Sequence, residues 1–131
     1  MELRSVEELM DLLYACRYEH GLRTAALLRR TRPADKELQV AGLVHGIGQL
    51  LGPGDAAERA ARAAEAVRPL LGERVYGLVR QRGPAADDDL LRLQHAAEEG
   101  RAVVFDAGVL EDWRTVLELV AARSARAGRW P

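Results

Sequence analysis

The chain has 131 residues, of which 48% are hydrophobic and 30% charged, and its formal net charge is −1. A chain of this length buries roughly two thirds of its unfolded surface, so a single domain needs no disulfide or structural metal to fold. Its single cysteine, Cys16, cannot form an intramolecular disulfide. No run of about eighteen apolar residues predicts a membrane span. The near-neutral charge excludes a protein that gains its affinity mainly from nucleic-acid phosphates.

Two further compositional features concern location and charge. Residues 1–4 lack the apolar core of a secretory signal, so we expect a cytoplasmic protein with no membrane or nucleic-acid partner. Lys36 is the only lysine, and every other cationic side chain is an arginine. Together with the abundance of alanine, glycine and leucine, this is typical of a GC-rich coding bias.

Helix-start signals predict two helices in the first 32 residues. Ser5 and Glu8 form a capping-box pattern, so a helix is expected to begin there. A second helix is expected from Tyr18 to about Arg32, where Pro33 ends it. Its inward positions are predicted at Leu22, Ala25, Ala26 and Leu28, and its outward positions at Arg23, Arg29 and Arg30.

The middle of the chain predicts two more helices separated by a glycine-rich loop. Asp35 is expected to cap a helix that runs to Val44, and the glycines at 46, 48, 52 and 54 predict a loop. Asp55 repeats the capping pattern and opens an alanine-rich helix to about Val67. Its small side chains allow close helix packing and make it a possible contact surface, as is the end bearing Trp130.

The last third of the chain predicts three helices. Pro69 and Gly72 are expected to precede a short helix through residues 75–79, and residues 83–86 to form a loop. Acidic residues 87–89 suit the start of the next helix, because the macrodipole favours negative charge there. A final helix is expected from Leu110 with Trp113, Val116, Leu117 and Val120 on its core face.

These elements predict an all-α bundle of six or seven helices. The only strand candidate is residues 103–105, which we interpret as a connection. The expected domain covers residues 1–126, and residues 127–131 are expected to form a loose tail.

Two segments carry a resemblance to a known family: EHGLRTA at residues 19–25 and LVHGIGQLL at residues 43–51. They resemble the EHxLQTA and LLHDIGHLL motifs of the HD-domain superfamily, and within it HD proteins related to di-iron oxygenases that act on phosphonates or inositol. Residues 68–75 and 91–101 are similar to later segments of that family. The resemblance runs from about Leu12 to Ala121 and implies a shortened HD fold.

The resemblance implies metal chemistry, but few of the ligand types are present. His20 and His45 stand in ligand positions, whereas the aspartate of the His-Asp doublet is replaced by Gly46. Gln49, Arg59, Arg82 and Ala97 stand where the family has further histidines and its last aspartate. A catalytic metal site usually has three or more protein donors, so we expect no cofactor beyond weak divalent-metal binding by His20 and His45.

The two arginines in former ligand positions suggest an alternative site. Guanidinium groups bind phosphate and carboxylate in bidentate fashion, so Arg59 and Arg82, with His20 and His45 nearby, are predicted to hold a small anion such as phosphate, phosphonate or carboxylate. Either arginine can instead point to solvent or pair with Glu58, Glu65 or Asp87. His95 is expected on the surface, and Cys16 is expected to be a small apolar residue rather than a nucleophile.

The sequence therefore predicts no catalytic residues. We expect a degenerate HD-domain protein, a pseudoenzyme, that acts as a small-anion-binding module or as an interaction module for a protein partner or a second copy of itself. The alternative is a metal-dependent phosphohydrolase or phosphonate-oxygenase-like HD enzyme with a rewired site.

Overall fold

The structure is a computed structural model, which describes residues 2–16, 18–81 and 87–127. Within these ranges the chain forms eight α-helices and one 3-10 turn. The α-helices are α1 (Val6–Ala15), α2 (Tyr18–Thr31), α3 (Lys36–Val44), α4 (Gly48–Leu51), α5 (Ala56–Leu71), α6 (Glu73–Arg80), α7 (Asp87–Ala102) and α8 (Arg114–Ala127), and the 3-10 turn is Leu110–Trp113.

The all-α class is confirmed, and the described residues contain no strand. The helix count is eight rather than six or seven, because the glycine-rich loop contains the short helix α4. Residues 103–105 lie in the irregular connection between α7 and the 3-10 turn, as expected. The loop at residues 83–86 and the tail at residues 128–131 lie outside the described residues. None of the described helices is long and apolar enough to cross a membrane.

Helix α1 begins where predicted, but its capping box is incomplete. The Ser5 hydroxyl accepts a hydrogen bond from the Glu8 amide at 3.1 Å. The Glu8 carboxylate, however, accepts from the amide of Arg4 rather than from that of Ser5. Asp35 and Asp55 cap α3 and α5 as predicted, and at α5 both halves of the box are present.

Helix α5 is longer than predicted and continues through Pro69 to Leu71. Proline in a helix removes one amide donor, which normally weakens the helix at that point. Here the last turn is held because Val67 and Leu71 are buried in the core, and the helix ends at Gly72, whose φ of 93° suits glycine. Pro69 therefore does not separate the two helices as predicted, whereas Gly72, the other residue predicted to separate them, does.

The alanine-rich face of α5 packs inside the protein. Ala63, Ala64 and Ala66 are fully buried, in a helix that contacts α4, α6 and α8. That face is consequently part of the core and does not form the contact surface that the sequence suggested. Trp130 lies outside the described residues.

Helix α3 lies at the centre of the bundle. Its seven residues from Leu38 to Val44 are all buried, and it contacts α2, α6, α7 and α8. The apolar run from Val40 to Val44 suits such a position, because a helix segment that is apolar all round is expected to be buried. Its one buried polar side chain, Gln39, donates to the carbonyl oxygens of Arg32 and Pro33 and so anchors the connection from α2.

Helices α2 and α3 pack antiparallel at close range because glycines line their contact. A Cβ on Gly42 would lie 2.7 Å from Leu28 Cδ1, and a Cβ on Gly21 would overlap the Leu43 carbonyl group. Leu22, Ala25, Ala26 and Leu28 are buried as predicted. Arg23 is an exception among the outward positions, since it is half-buried and its Nε donates to the Gly100 carbonyl oxygen at 2.7 Å.

The C-terminal helix completes the core. Trp113, Leu117 and Val120 are buried as predicted, and Val116 is half-buried against them. The predicted start at Leu110 is correct in position, but the first four residues form a 3-10 turn rather than α-helix. Arg29 of α2 stacks over the Trp113 ring at 4.7 Å, which links α2 to this end of the chain.

Candidate functional site

The fold brings His20 and His45 together. His20 lies in the first turn of α2, and His45 follows the last residue of α3, so the antiparallel packing of the two helices places them at the same end. Their ring centroids are 5.1 Å apart, and the ring planes meet at 76°, in an edge-to-face arrangement. Of the predicted site residues, these two are the pair that the structure places in contact.

A backbone carbonyl holds one nitrogen of each imidazole. His20 Nε2 lies 2.8 Å from the Ala97 oxygen, and His45 Nδ1 lies 2.5 Å from the Gly42 oxygen. Because a carbonyl oxygen only accepts, both of these nitrogens carry the proton. In the neutral rings, His20 Nδ1 and His45 Nε2 therefore keep their lone pairs.

Helix α7 forms the third side of this site. Ala97, which stands where the related family has its last aspartate, lies against His20 but offers it only a backbone oxygen. Gly100 lies one turn further on, and a Cβ there would be 3.4 Å from His20 Cδ2 and 3.3 Å from Thr24 Oγ1. Helix α7 thus packs closely on α2 without adding a carboxylate at position 97.

The surroundings of His45 favour its neutral form. Burial lowers the pKa of His45 below its usual value of 6.5, and the nearby His20 and Arg101 lower it further, against the opposing effect of the hydrogen bond to Gly42. The charged groups that contribute to the shift among the described residues, His20 and Arg101, both disfavour the protonated imidazole. A cation bound at this pair would also face the positive charge of Arg101.

The lowered pKa predicts a pH-dependent stability that involves His45. In the unfolded chain His45 takes up a proton as the pH falls through about 6.5, whereas the folded chain resists this. Stability should therefore decrease between about pH 7 and 5, by at most about 1.4 kcal/mol per pH unit. Urea titrations of wild type and His45→Asn, whose amide can replace Nδ1 as the donor to Gly42, would measure this. An unchanged pH slope in His45→Asn would contradict the prediction.

Gly46 and Gly48 differ sharply in their surroundings. A Cβ added to Gly46 would have no atom within 4 Å, so the position where the family has its aspartate opens to free space. A Cβ on Gly48 would lie 2.7 Å from the Arg59 carbonyl carbon, because α4 and the first turn of α5 pack backbone against backbone. Gly48 therefore fixes how closely α5 approaches α4.

The predicted arginines are not shown to converge on the histidines. Arg59 is exposed in the first turn of α5, and its side chain makes no ion pair with the part of the chain that the structure describes. Arg82 lies outside the described residues. Of the suggested acidic partners, Glu58 pairs with Arg62 at 3.8 Å, and Glu65 pairs with Arg80 at 3.4 Å.

The donor set does not fit a catalytic metal centre. Among residues 2–16, 18–81 and 87–127, no group of three or more histidine, cysteine, aspartate or glutamate side chains is placed to hold a metal ion. His20 and His45 supply two imidazole nitrogens, whereas the metal sites of enzymes usually combine at least three protein donors with an open position.

His95 and Cys16 are the two other side chains that could act as a metal ligand or a nucleophile, and neither belongs to the histidine pair. His95 is exposed on α7, as expected. Cys16 follows the end of α1, so it and His20 do not share a continuous helix. Its Sγ donates to the Leu13 carbonyl oxygen at 3.4 Å, and burial raises the pKa of the thiol, which disfavours a nucleophilic thiolate.

The sequence did not predict one cluster of cationic side chains. A cavity at the opposite end of α3 is lined by several cationic side chains, among them Lys36, Arg74 and Arg123. These residues are far apart in the chain, so no local pattern unites them. The only signal in the sequence was that Lys36 is the single lysine.

Comparison with protein-family models, curated proteins and solved structures found no match to this chain. The relation to the HD-domain superfamily consequently stays a prediction, based on the motifs and their spacing.

Proposed function

We propose that the chain is a degenerate HD-domain protein that has lost catalysis and acts as a binding module for a small anion. The observation that carries the proposal is the histidine pair itself. His20 and His45 meet as the two motifs imply, with Ala97 of α7 against them, yet the neighbouring position 46 is a glycine. The scaffold of such a site is retained in this interpretation, and the carboxylates that would balance a metal are missing.

Charge supports an anionic rather than a cationic ligand. The charge of Arg101 lowers the pKa of His45, and Arg59 in α5 is exposed. Phosphate, phosphonate and carboxylate all accept hydrogen bonds from guanidinium groups. We include Arg82 in the proposed anion site on the motif alignment alone.

One observation favours a second candidate, a surface for a protein partner or a second copy of the chain. Val103, Val104 and Val109 are half to largely exposed in the connection after α7, and Val104 has 84% of its surface accessible. Exposed apolar residues that form one contiguous patch are typical of interaction surfaces. Sedimentation analysis of wild type and Val104→Asp tests this: a concentration-dependent dimer that the variant loses would favour the second candidate.

The alternative function, a metal-dependent enzyme, requires that the free nitrogen atoms of His20 and His45 bind a metal ion. Two imidazole nitrogens allow only weak binding. Protein purified without chelators, and again after incubation with iron, manganese, zinc or nickel, is analysed for metal content. We expect metal well below one equivalent after buffer exchange. Stoichiometric metal that is lost in both His20→Ala and His45→Ala would overturn the proposal, and hydrolase and oxygenase assays would follow.

Anion binding is tested by thermal unfolding with phosphate, methylphosphonate and acetate at constant ionic strength. A ligand that binds only the folded chain at about 100 times its Kd stabilises it by about 2.7 kcal/mol, which raises the Tm by several degrees. We expect Arg59→Ala and Arg82→Ala to reduce this shift, whereas Arg126→Ala, an exposed arginine late in α8, should not. No shift with any of the anions would contradict the proposal.

A further inference from the structure

A cavity of about 450 Å³ lies at the start of α3. It is formed by the end of α2, the connection that leads to α3, the start of α6 and the late part of α8. Its volume is in the range of small-molecule sites. The residues that line it are Thr31, Arg32, Pro33, Ala34, Asp35, Lys36, Glu37, Arg74 and Arg123.

This cavity is separate from the histidine pair. Thr31 lies eleven residues after His20 in the same helix, which corresponds to about 16 Å at 1.5 Å per residue. His45 and Lys36 likewise lie at opposite ends of α3. No residue of the cavity lining contacts either imidazole.

Arg74 binds both acidic side chains of the cavity lining. Its two terminal nitrogens bind the two oxygens of Asp35 at 2.6 and 2.7 Å, in a bidentate pair. The same guanidinium group reaches Glu37 at 3.2 Å and Asp89 at 3.1 Å. Consistently, the hydrogen bond from Arg74 lowers the pKa of Asp35. Both carboxylates in the lining are thus paired, and they share the single guanidinium group of Arg74.

The cavity lining contains four cationic side chains, Arg32, Lys36, Arg74 and Arg123, and two carboxylates, Asp35 and Glu37. Arg32 pairs with Asp88 at 3.3 Å, a carboxylate that is 77% exposed and therefore weakly held. Lys36 and Arg123 have no carboxylate partner among the described residues. Two unpaired positive charges, one an ammonium and one a guanidinium, consequently face one cavity from α3 and α8.

This arrangement matches a ligand with two negative charges on one compact group. A phosphomonoester carries about −1.5 to −2 charges at neutral pH and three acceptor oxygens. Lysine and arginine are the side chains that bind phosphate best. Thr31, Pro33 and Ala34 provide room for a small uncharged part beside it.

We propose that the cavity at the start of α3 binds a small phosphomonoester, whose phosphate is held by Lys36 and Arg123. Arg74 acts as a positioning residue, because it joins α3, α6 and α7 through Asp35, Glu37 and Asp89. The site requires neither the histidine pair nor Arg59 and Arg82.

Because Lys36 is the only lysine, chemical modification of its side-chain amine can be measured without a contribution from other lysines. The protein is treated with an acetylating reagent in the presence of ribose 5-phosphate or of ribose, and acetylation of Lys36 is measured by mass spectrometry with the N-terminal amine as the internal reference. We expect saturating ribose 5-phosphate to slow Lys36 acetylation by about tenfold, since the bound phosphate covers and pairs the amine. Ribose, which lacks the phosphate, should give no protection.

Isothermal titration calorimetry with ribose 5-phosphate then tests the assigned residues. Loss of one charge-assisted contact should weaken binding about tenfold in Lys36→Gln and in Arg123→Gln. Arg126→Gln removes an exposed arginine of the same helix outside the cavity and should bind like wild type. Circular dichroism confirms that each variant is folded.

Three outcomes would overturn the inference: no protection of Lys36, equal protection by ribose, or wild-type affinity in both cavity variants. Arg59→Gln separates this inference from the proposed function. If ribose 5-phosphate binds and only Arg59→Gln weakens it, the anion site lies with α5 and the cavity inference fails while the proposed function stands. If only the cavity variants weaken it, the phosphate site is at the start of α3.

Discussion

Replacing Gly48 with alanine is expected to destabilise the protein by at least about 3 kcal/mol, the upper part of the range for overpacking. An alanine Cβ would lie 2.7 Å from the carbonyl carbon and 3.1 Å from the Cα of Arg59, and closer still to its carbonyl oxygen. These are backbone atoms, so no side-chain rotation relieves the overlap. Helix α5 must move away from α4, and its buried residues Ala63 and Val67 would move with it.

Gly46→Ala is the matched control for this prediction. The added Cβ meets no atom within 4 Å, and the backbone of Gly46 does not have the positive φ that only glycine adopts easily. We expect the free energy of unfolding of Gly46→Ala to lie within about 1 kcal/mol of the wild-type value, because the added methyl group overlaps no other atom. Urea denaturation of both variants measures the difference. Equal stability of the two would show that α4 and α5 are not packed as described.

The helix boundaries that depend on local chemistry were predictable from the sequence. Asp35 and Asp55 accept hydrogen bonds from amides three residues later, a contact that involves only neighbouring residues. Boundaries that depend on packing were not. Pro69 does not end α5, because Leu71 beyond it is buried in the core. Helix α4 begins at Gly48, which packs against the α5 backbone.

The candidate site was predictable in part, for a similar reason. His20 and His45 were singled out from motifs, and their contact follows from the antiparallel packing of α2 and α3. The exposure of Arg59 depends on how α5 is rotated against α4, and no sequence pattern specifies that rotation. The cavity at Lys36 was missed because α2, α3, α6 and α8 all contribute to it.

Helix α3 connects the two candidate sites. Its C-terminal end carries His45, where burial favours a neutral side chain, and its N-terminal end carries Lys36 in a cavity with unpaired positive charge. Seven consecutive residues between them are buried. The buried centre of the fold therefore separates the histidine pair from the cavity lined by cations.

Gly46→Asp is expected to raise the affinity for a divalent metal by about tenfold or more over wild type. The open space around position 46 accepts a larger side chain without displacing its neighbours. A carboxylate next to His45 adds a third donor to the two imidazoles, whose free nitrogens are His20 Nδ1 and His45 Nε2. It also offsets the positive charge of Arg101, which disfavours a cation in the wild-type site.

Titration with Co²⁺, followed by its visible absorption and by calorimetry, measures this gain. Gly46→Asn is the control, since it has nearly the same size but lacks the negative charge that a divalent cation attracts. Adding His45→Ala to Gly46→Asp should abolish the gain, because the imidazole beside the new carboxylate is then lost. Binding no tighter than wild type in a folded Gly46→Asp chain would show that position 46 does not face the histidine pair, and the comparison of this site with an HD metal centre would then fail.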